Sequence, residues 1–177
     1  IYNWLLGIAH QGMTENFRMN RLLMWIQPEN YSSGIGYQTV QGLYAIGSGG
    51  LFGKGLGKSL QKLGFIPESQ NDMIFSIICE ELGLFGAMCI ILVFALMLWR
   101  IIHIAQNAPD LFGTMLAAGV FAHVAVQVVL NIAVVTNFIP NTGVSLPFIS
   151  YGGTASFFLL LEMGIVLNIS SKIRLER

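Results

Sequence analysis

Apolar residues run from Leu82 to Trp99 without a single charged side chain. With the preceding turn Ile74–Cys79 added, the run is long enough to cross a bilayer, which takes roughly 20 mostly apolar residues in a helix. Leu111–Val135 forms a second such run, and Thr154–Ile169 a shorter third. A fourth, Ile35–Ile46, is polar and glycine-rich and can cross only where other helices shield it. The pattern predicts spans over about 35–50, 74–99, 111–135 and 154–170, separated by loops over about 51–73 and 136–153. The opening run Ile1–Ile8 reads as the end of a further span. Because the first residue is Ile1 and not methionine, the natural chain is expected to begin earlier.

Polar residues inside the apolar runs are few, so each needs a reason. His123, Gln127 and Asn131 recur every fourth residue, which places them on one helix face directed at other helices. Interhelical hydrogen bonding is the expected role, ahead of a substrate path. A single histidine without Cys or carboxylate at ligand spacing is not a metal site. Glu162 falls near the middle of the last run, where a carboxylate is costly; a pairing with a polar group of another helix is expected.

Composition agrees with a bilayer as the solvent. The chain is 54% hydrophobic and 10% charged, against roughly a quarter charged in soluble domains. A soluble core could not hide that much apolar surface. The formal net charge is zero, and no basic block offers itself to nucleic acid. Cys79 and Cys89 both lie in an apolar helical stretch and read as packing residues. Lysine and arginine resist translocation and so report orientation. If the 35–50 span crosses, Arg18, Arg21, Arg100, Lys172, Arg174 and Arg177 share one side, and Lys54, Lys58 and Lys62 the other. That asymmetry predicts a cytoplasmic C-terminus, with both long loops outside.

The loops carry the candidate chemistry. Gly47-Ser48-Gly49-Gly50-Leu51-Phe52-Gly53-Lys54-Gly55-Leu56-Gly57-Lys58-Ser59 nearly imitates a phosphate-binding loop at its end. Phe52 stands where the required earlier glycine should be and no strand precedes, so a nucleotide site is rejected. So many glycines let main-chain amides approach a ligand closely, or else simply make a tight turn. Pro67-Glu68-Ser69-Gln70-Asn71-Asp72 follows, immediately before an apolar helix. Asn71 or Asp72 is placed to cap that helix. Capping does not account for Glu68, Asp72, Glu80 and Glu81 together at one membrane entry, where carboxylates can serve as proton acceptors. Glu80 and Glu81 cannot face the same way, so at least one is expected to have a structural partner, such as an arginine outside this sequence. The second loop, Pro140 through Gly153, has two prolines and three glycines yet is too apolar for a solvated loop. A re-entrant segment packed between helices fits both facts, with Gly152 or Gly153 expected where no side chain fits.

Taken in order, Tyr37-Gln38-Thr39-Val40-Gln41, the glycine run Ala45 to Gly55, Pro67-Glu68 through Asp72, Glu80-Glu81-Leu82-Gly83, Thr142-Gly143 through Gly153 and Asn168-Ile169 resemble the SEDS family (shape, elongation, division and sporulation) of FtsW, RodA and SpoVE. The likeness runs from about Arg18 to the C-terminus. It implies an all-α polytopic integral membrane protein, with residues 1–177 forming the C-terminal part, about four helices, of a ten-helix bundle in the bacterial cytoplasmic membrane. The implied activity is a glycosyltransferase polymerising lipid II into glycan strands outside the membrane. Its implied partners are a class B penicillin-binding protein and other division or elongation proteins. The resemblance places the essential carboxylate on Asp72, and implies substrate contacts at Glu68, Lys54, Lys58, Gln41, Ser150 and Gly152. Asn71, Met73 and Thr154 depart from the residues usual in the family and bear on the subgroup, whether division, elongation or sporulation.

Such a transfer needs a base for the attacking sugar hydroxyl and positive charge or oriented amides for the leaving diphosphate. Asp72 is the base candidate. Lys54, Lys58 and the glycine-loop amides are candidates for the diphosphate, with or without a divalent cation (Mg or Mn) that Asp72 would hold instead. Two rival readings use the same residues. A lipid II flippase would line its path with His123, Gln127, Asn131 and Glu162, and a non-catalytic scaffold would need none of them.

Overall fold

The computed structural model describes residues 17–26, 35–59 and 71–173. Five helices appear among them: α1 (Phe17–Ile26), α2 (Ile35–Gly49), α3 (Ile74–Gln106), α4 (Leu111–Val135) and α5 (Gly153–Lys172). Three of these, α3, α4 and α5, are long and apolar enough to cross a membrane. The chain is an all-α polytopic membrane protein. Leu92, Val93, Trp99, Phe112, Met115, Val129, Phe157 and Leu160 are exposed on these helices, apolar surface suited to lipid or to further helices.

α3 and α4 form an antiparallel hairpin across residues 107–110, and α5 packs mainly on α4. Asp110 sets the start of α4, its carboxylate accepting a hydrogen bond from the Gly113 amide at 3.0 Å. Between the hairpin and α5 lie Ala117, Val120, Val124, Val128 and Val166, the small and β-branched residues that allow close helix approach.

α3 is not one continuous helix. Gly83 sits at φ 68° and ψ −167°, a conformation outside the helical region that interrupts the ladder. From Leu84 to Gln106 the remaining helix is about 35 Å long at 1.5 Å per residue, enough to cross the hydrocarbon by itself. The turns ahead of Gly83, which carry Glu80 and Glu81, therefore need no place in the apolar layer.

The segment expected to be a span over 35–50 is helical as α2, with 15 residues, about 22 Å against the roughly 30 Å of the hydrocarbon layer. It also runs alongside only the first turns of α3: Gly42 lies against Met73 and Ser76, and Gly49 against Cys79 and Glu80. Its glycine-rich face, which lowered its apolar character, is what lets it pack so closely there. The end of α1 lies at the same end of the bundle, because the Trp25 indole donates to the Asn137 carbonyl at 3.0 Å.

The segment after α4 is irregular from Thr136 to Gly152 and folds back onto the bundle. Leu146 and Pro147 are almost fully buried, while Phe138 and Tyr151 are exposed. Asn137, Gly143 and Phe148 adopt positive φ, the bends that turn the loop inward.

Candidate functional site

Three segments converge on Asp72. It lies in a turn, residues 71–73, held down by the buried Met73 side chain. α3 begins after Met73, whose own side chain makes no cap hydrogen bond. The half-buried Asp72 carboxylate accepts from Gln38 Nε2 of α2 at 3.2 Å. From the other side comes the folded-back loop: a methyl group built on Gly143 would stand 4.0 Å from Asp72 Oδ2. Asn131 of α4 then donates through Nδ2 to two carbonyls, that of Asp72 at 2.9 Å and that of Val144 at 2.8 Å.

The glycine loop is built into the break of α3. In an unbroken helix the amides of Leu84 and Phe85 would donate to the carbonyls of Glu80 and Glu81. Here those four groups turn to the loop. Lys54 N donates to Glu80 O (2.9 Å) and Gly55 N to Glu81 O (2.9 Å), while Leu84 N donates to Gly50 O (3.0 Å) and Phe85 N to Leu51 O (3.2 Å). A Cβ on Gly53 would fall 2.2 Å from Glu81 O, and one on Gly83 would fall 2.3 Å from Gly53 N. Glycine is required at both positions because backbone meets backbone. Two of the loop amides expected to be available to a diphosphate are therefore spent inside the protein.

The same joint explains the paired glutamates. Glu80 is fully buried, and Lys54 pairs with it, Nζ to Oε1 at 2.7 Å. Ser48 donates to the same oxygen at 3.4 Å, and Ser59 donates to Oε2. A buried carboxylate needs this many donors to offset lost hydration. Glu81 faces elsewhere; its Oε1 is buried without a hydrogen-bond partner among the described residues.

The expected substrate contacts separate into groups. Lys58 is exposed on the loop and makes no ion pair among the described residues. Lys54 is two-thirds covered and held by Glu80. Gln41 is half-buried, one helical turn beyond Gln38 on α2. Ser150 is buried and turns its hydroxyl inward, accepting from the Leu146 amide at 2.7 Å, which closes the turn before α5. Gly152 precedes α5 in extended backbone, and a Cβ there would make an ordinary 3.5 Å contact with Ala155; Gly153 has open space. The expectation that one of them excludes a side chain is corrected: in this loop that requirement falls on Gly143, at φ 70°. Glu68 lies outside the described residues.

The polar stripe of α4 divides in two. His123 Nδ1 lies 3.0 Å from both Glu162 oxygens, and Gln127 Nε2 lies 2.9 Å from His123 Nε2. A proton on Nδ1 satisfies all three groups, so this chain joins α4 to α5 as the spacing predicts. Asn131 serves the Asp72 turn instead. Sequence reasoning missed Gln38 and Asn131 as neighbours of Asp72, although both stood in segments it had singled out. A groove of about 550 Å³ lined by Asp110, Gly113, Leu116, Leu161 and Lys172 lies at the other end of the bundle and shares no residue with this site. Among the described residues no three His, Cys, Asp or Glu side chains form a group that could hold a metal ion.

Residues 3–175 match the family described as cell cycle protein, FtsW/RodA/SpoVE. The chain is similar to stage V sporulation protein E of Bacillus subtilis, 46% identical over 166 residues, covering 94% of this chain and 45% of that protein. It is likewise similar to the probable peptidoglycan glycosyltransferase FtsW of Trichlorobacter lovleyi, 44% identical, covering 90% of this chain and 42% of that protein. It spans somewhat under half the length of these relatives. Among solved structures, a peptidoglycan synthase complex described as coordinating polymerization and crosslinking matches with a TM-score of 0.68 at 22% identity, covering 99% of this chain and 50% of that one. A mutant of the rod shape determining protein RodA of Thermus thermophilus matches with a TM-score of 0.58 at 23% identity, covering 97% and 64%. At such identities the structural likeness establishes the fold.

Proposed function

The chain belongs to the FtsW/RodA/SpoVE cell cycle protein family, and from that membership we propose that the full-length protein is a peptidoglycan glycosyltransferase that polymerises lipid II. The observation carrying this reading is Asp72, a half-buried carboxylate that accepts from Gln38 and has the folded-back loop beside it. In the proposed reaction the 4-hydroxyl of an acceptor sugar attacks the anomeric carbon of a lipid-linked donor. The new glycosidic bond forms as the bond to the diphosphate breaks, and undecaprenyl diphosphate leaves. Asp72 accepts the hydroxyl proton. Gln41 follows Gln38 by one helical turn, Gly143 stands beside Asp72, and Lys58, exposed on the glycine loop, would supply charge toward the diphosphate.

A divalent cation (Mg or Mn) would fit as one arriving with the diphosphate, since such ions often take only one or two protein carboxylates. Asp72 would then hold it in place of acting as the base, and the ion would neutralise the leaving group's charge. Lys54 acts indirectly, by fixing the loop through Glu80. The site faces outward in this reading and the C-terminus lies in the cytoplasm. That orientation rests on the family membership. A class B penicillin-binding protein is the proposed crosslinking partner, in line with the synthase complex whose fold this chain shares.

The test is purified full-length protein in liposomes given lipid II and no other transferase. Polymer is expected from the native protein, and Asp72→Asn should lower the rate by about 10²- to 10⁴-fold. Near-normal polymerisation by Asp72→Asn would remove the base assignment. Lipid II transport without polymer from the native protein would favour the flippase.

A further inference from the structure

We propose that Asn131 is a positioning residue for the transfer reaction: its carboxamide fastens the Asp72 turn to the folded-back loop and so fixes where the Asp72 carboxylate stands. This rests on the reading of Asp72 as the base. Asn131 is fully buried, one turn before the end of α4, between the buried Val128 and Val134. Its Nδ2 spends both hydrogens on main-chain carbonyls of two segments distant in sequence, Asp72 and Val144. Two carbonyls around one atom identify that atom as the nitrogen, so the amide orientation is fixed by its surroundings. The other end, Oδ1, is buried with no partner among the described residues. A buried amide with an unpaired oxygen is a cost to the fold, and an apolar side chain of the same size would avoid it. What the amide contributes in return is the double tether.

The tether acts on backbone outside the helix ladder. The Ser76 amide bonds to the Met73 carbonyl, and the Asp72 carbonyl accepts from Asn131. Gln38 orients the Asp72 carboxylate from α2, while Asn131 holds the Asp72 backbone from α4. Releasing the backbone leaves the carboxylate able to move relative to the 143–144 segment. A displacement of about 1 Å at a reacting group can cost about 10²-fold in rate.

The experiment is a double-mutant cycle on the full-length protein in liposomes with lipid II. Asn131→Leu is expected to keep folded yield and KM for lipid II near native while kcat falls about 10- to 100-fold. In the Asp72→Asn background the same substitution should lower the residual rate no further, because the group it positions is already gone. An equal fractional loss in both backgrounds would mean Asn131 supports the fold generally and would overturn the proposal, as would native kcat in Asn131→Leu. Asn131→Ala, which removes the tether without adding bulk, repeats the cycle if Leu packs badly; failure of both to fold likewise assigns Asn131 to the fold. A near-native rate in Asp72→Asn alone would instead sink the reading of Asp72, and is distinguishable because it needs no change at Asn131.

Discussion

Replacing Gly83 by alanine should damage this protein more than any single methyl group normally would. The added Cβ would lie 2.3 Å from Gly53 N and 2.6 Å from Leu51 O, both backbone atoms that no rotamer change can move aside. Alanine at φ 68° carries a further cost of about 1–2 kcal/mol. If the loop retreats, the four hydrogen bonds joining Gly50, Leu51, Lys54 and Gly55 to the broken helix are lost, each worth about 0.5–1.5 kcal/mol net. If the helix instead heals through the substituted position, Glu80 and Glu81 recover internal partners, but the Lys54–Glu80 geometry set by the loop does not survive. The first route gives a loss of about 3–8 kcal/mol, comparable to much of a domain's stability. The measurement is folded yield and apparent Tm of the full-length protein in detergent, with Gly47→Ala as control. Gly47 lies inside α2 with no atom within 4 Å of an added Cβ, so alanine there should be neutral or stabilise slightly through helix propensity. If Gly83→Ala matches the native Tm and yield, the loop is not spliced into α3 and the reasoning is refuted.

Lys54→Met should destabilise by up to about 3 kcal/mol, because it leaves buried Glu80 without its cation; Lys54→Met with Glu80→Met should recover part of that in the same thermal assay, and no recovery would mean the pair is not the cause. Gly152→Ala should keep native folded yield, since its Cβ makes only an ordinary contact; a collapse in yield would restore the close-packing role that the sequence suggested. In a cysteine-free full-length protein, Leu56→Cys in intact cells should react with an impermeant thiol reagent and Ser171→Cys should not. Leu56 is the proper probe because it is 76% exposed whereas Ser59 is buried, and the reverse labelling would overturn the proposed orientation.

What the sequence settled by itself is whatever depends on local, repeating physics. Leu82–Trp99 and Leu111–Val135 had to be membrane helices because no other structure satisfies every backbone group of an uncharged run in lipid. The every-fourth spacing of His123, Gln127 and Asn131 fixed a common face, and Asp72 stood out through its place before an apolar helix and through resemblance. The partners across space were not legible. Glu80 looks the same in sequence whether an outside arginine or Lys54 neutralises it, and Asn131 looks the same as His123 although one serves two carbonyls and the other a carboxylate. The glycines show the limit most clearly. Their number announced close backbone approach, but only the tertiary structure assigned it to Gly53 and Gly83 and withheld it from Gly152. A missing Cβ records permission for another chain to come near, and which chain comes near is decided by packing between segments distant in sequence. The same holds for α2: its glycines permit a close neighbour, and only the tertiary structure shows that this neighbour is the first turns of α3.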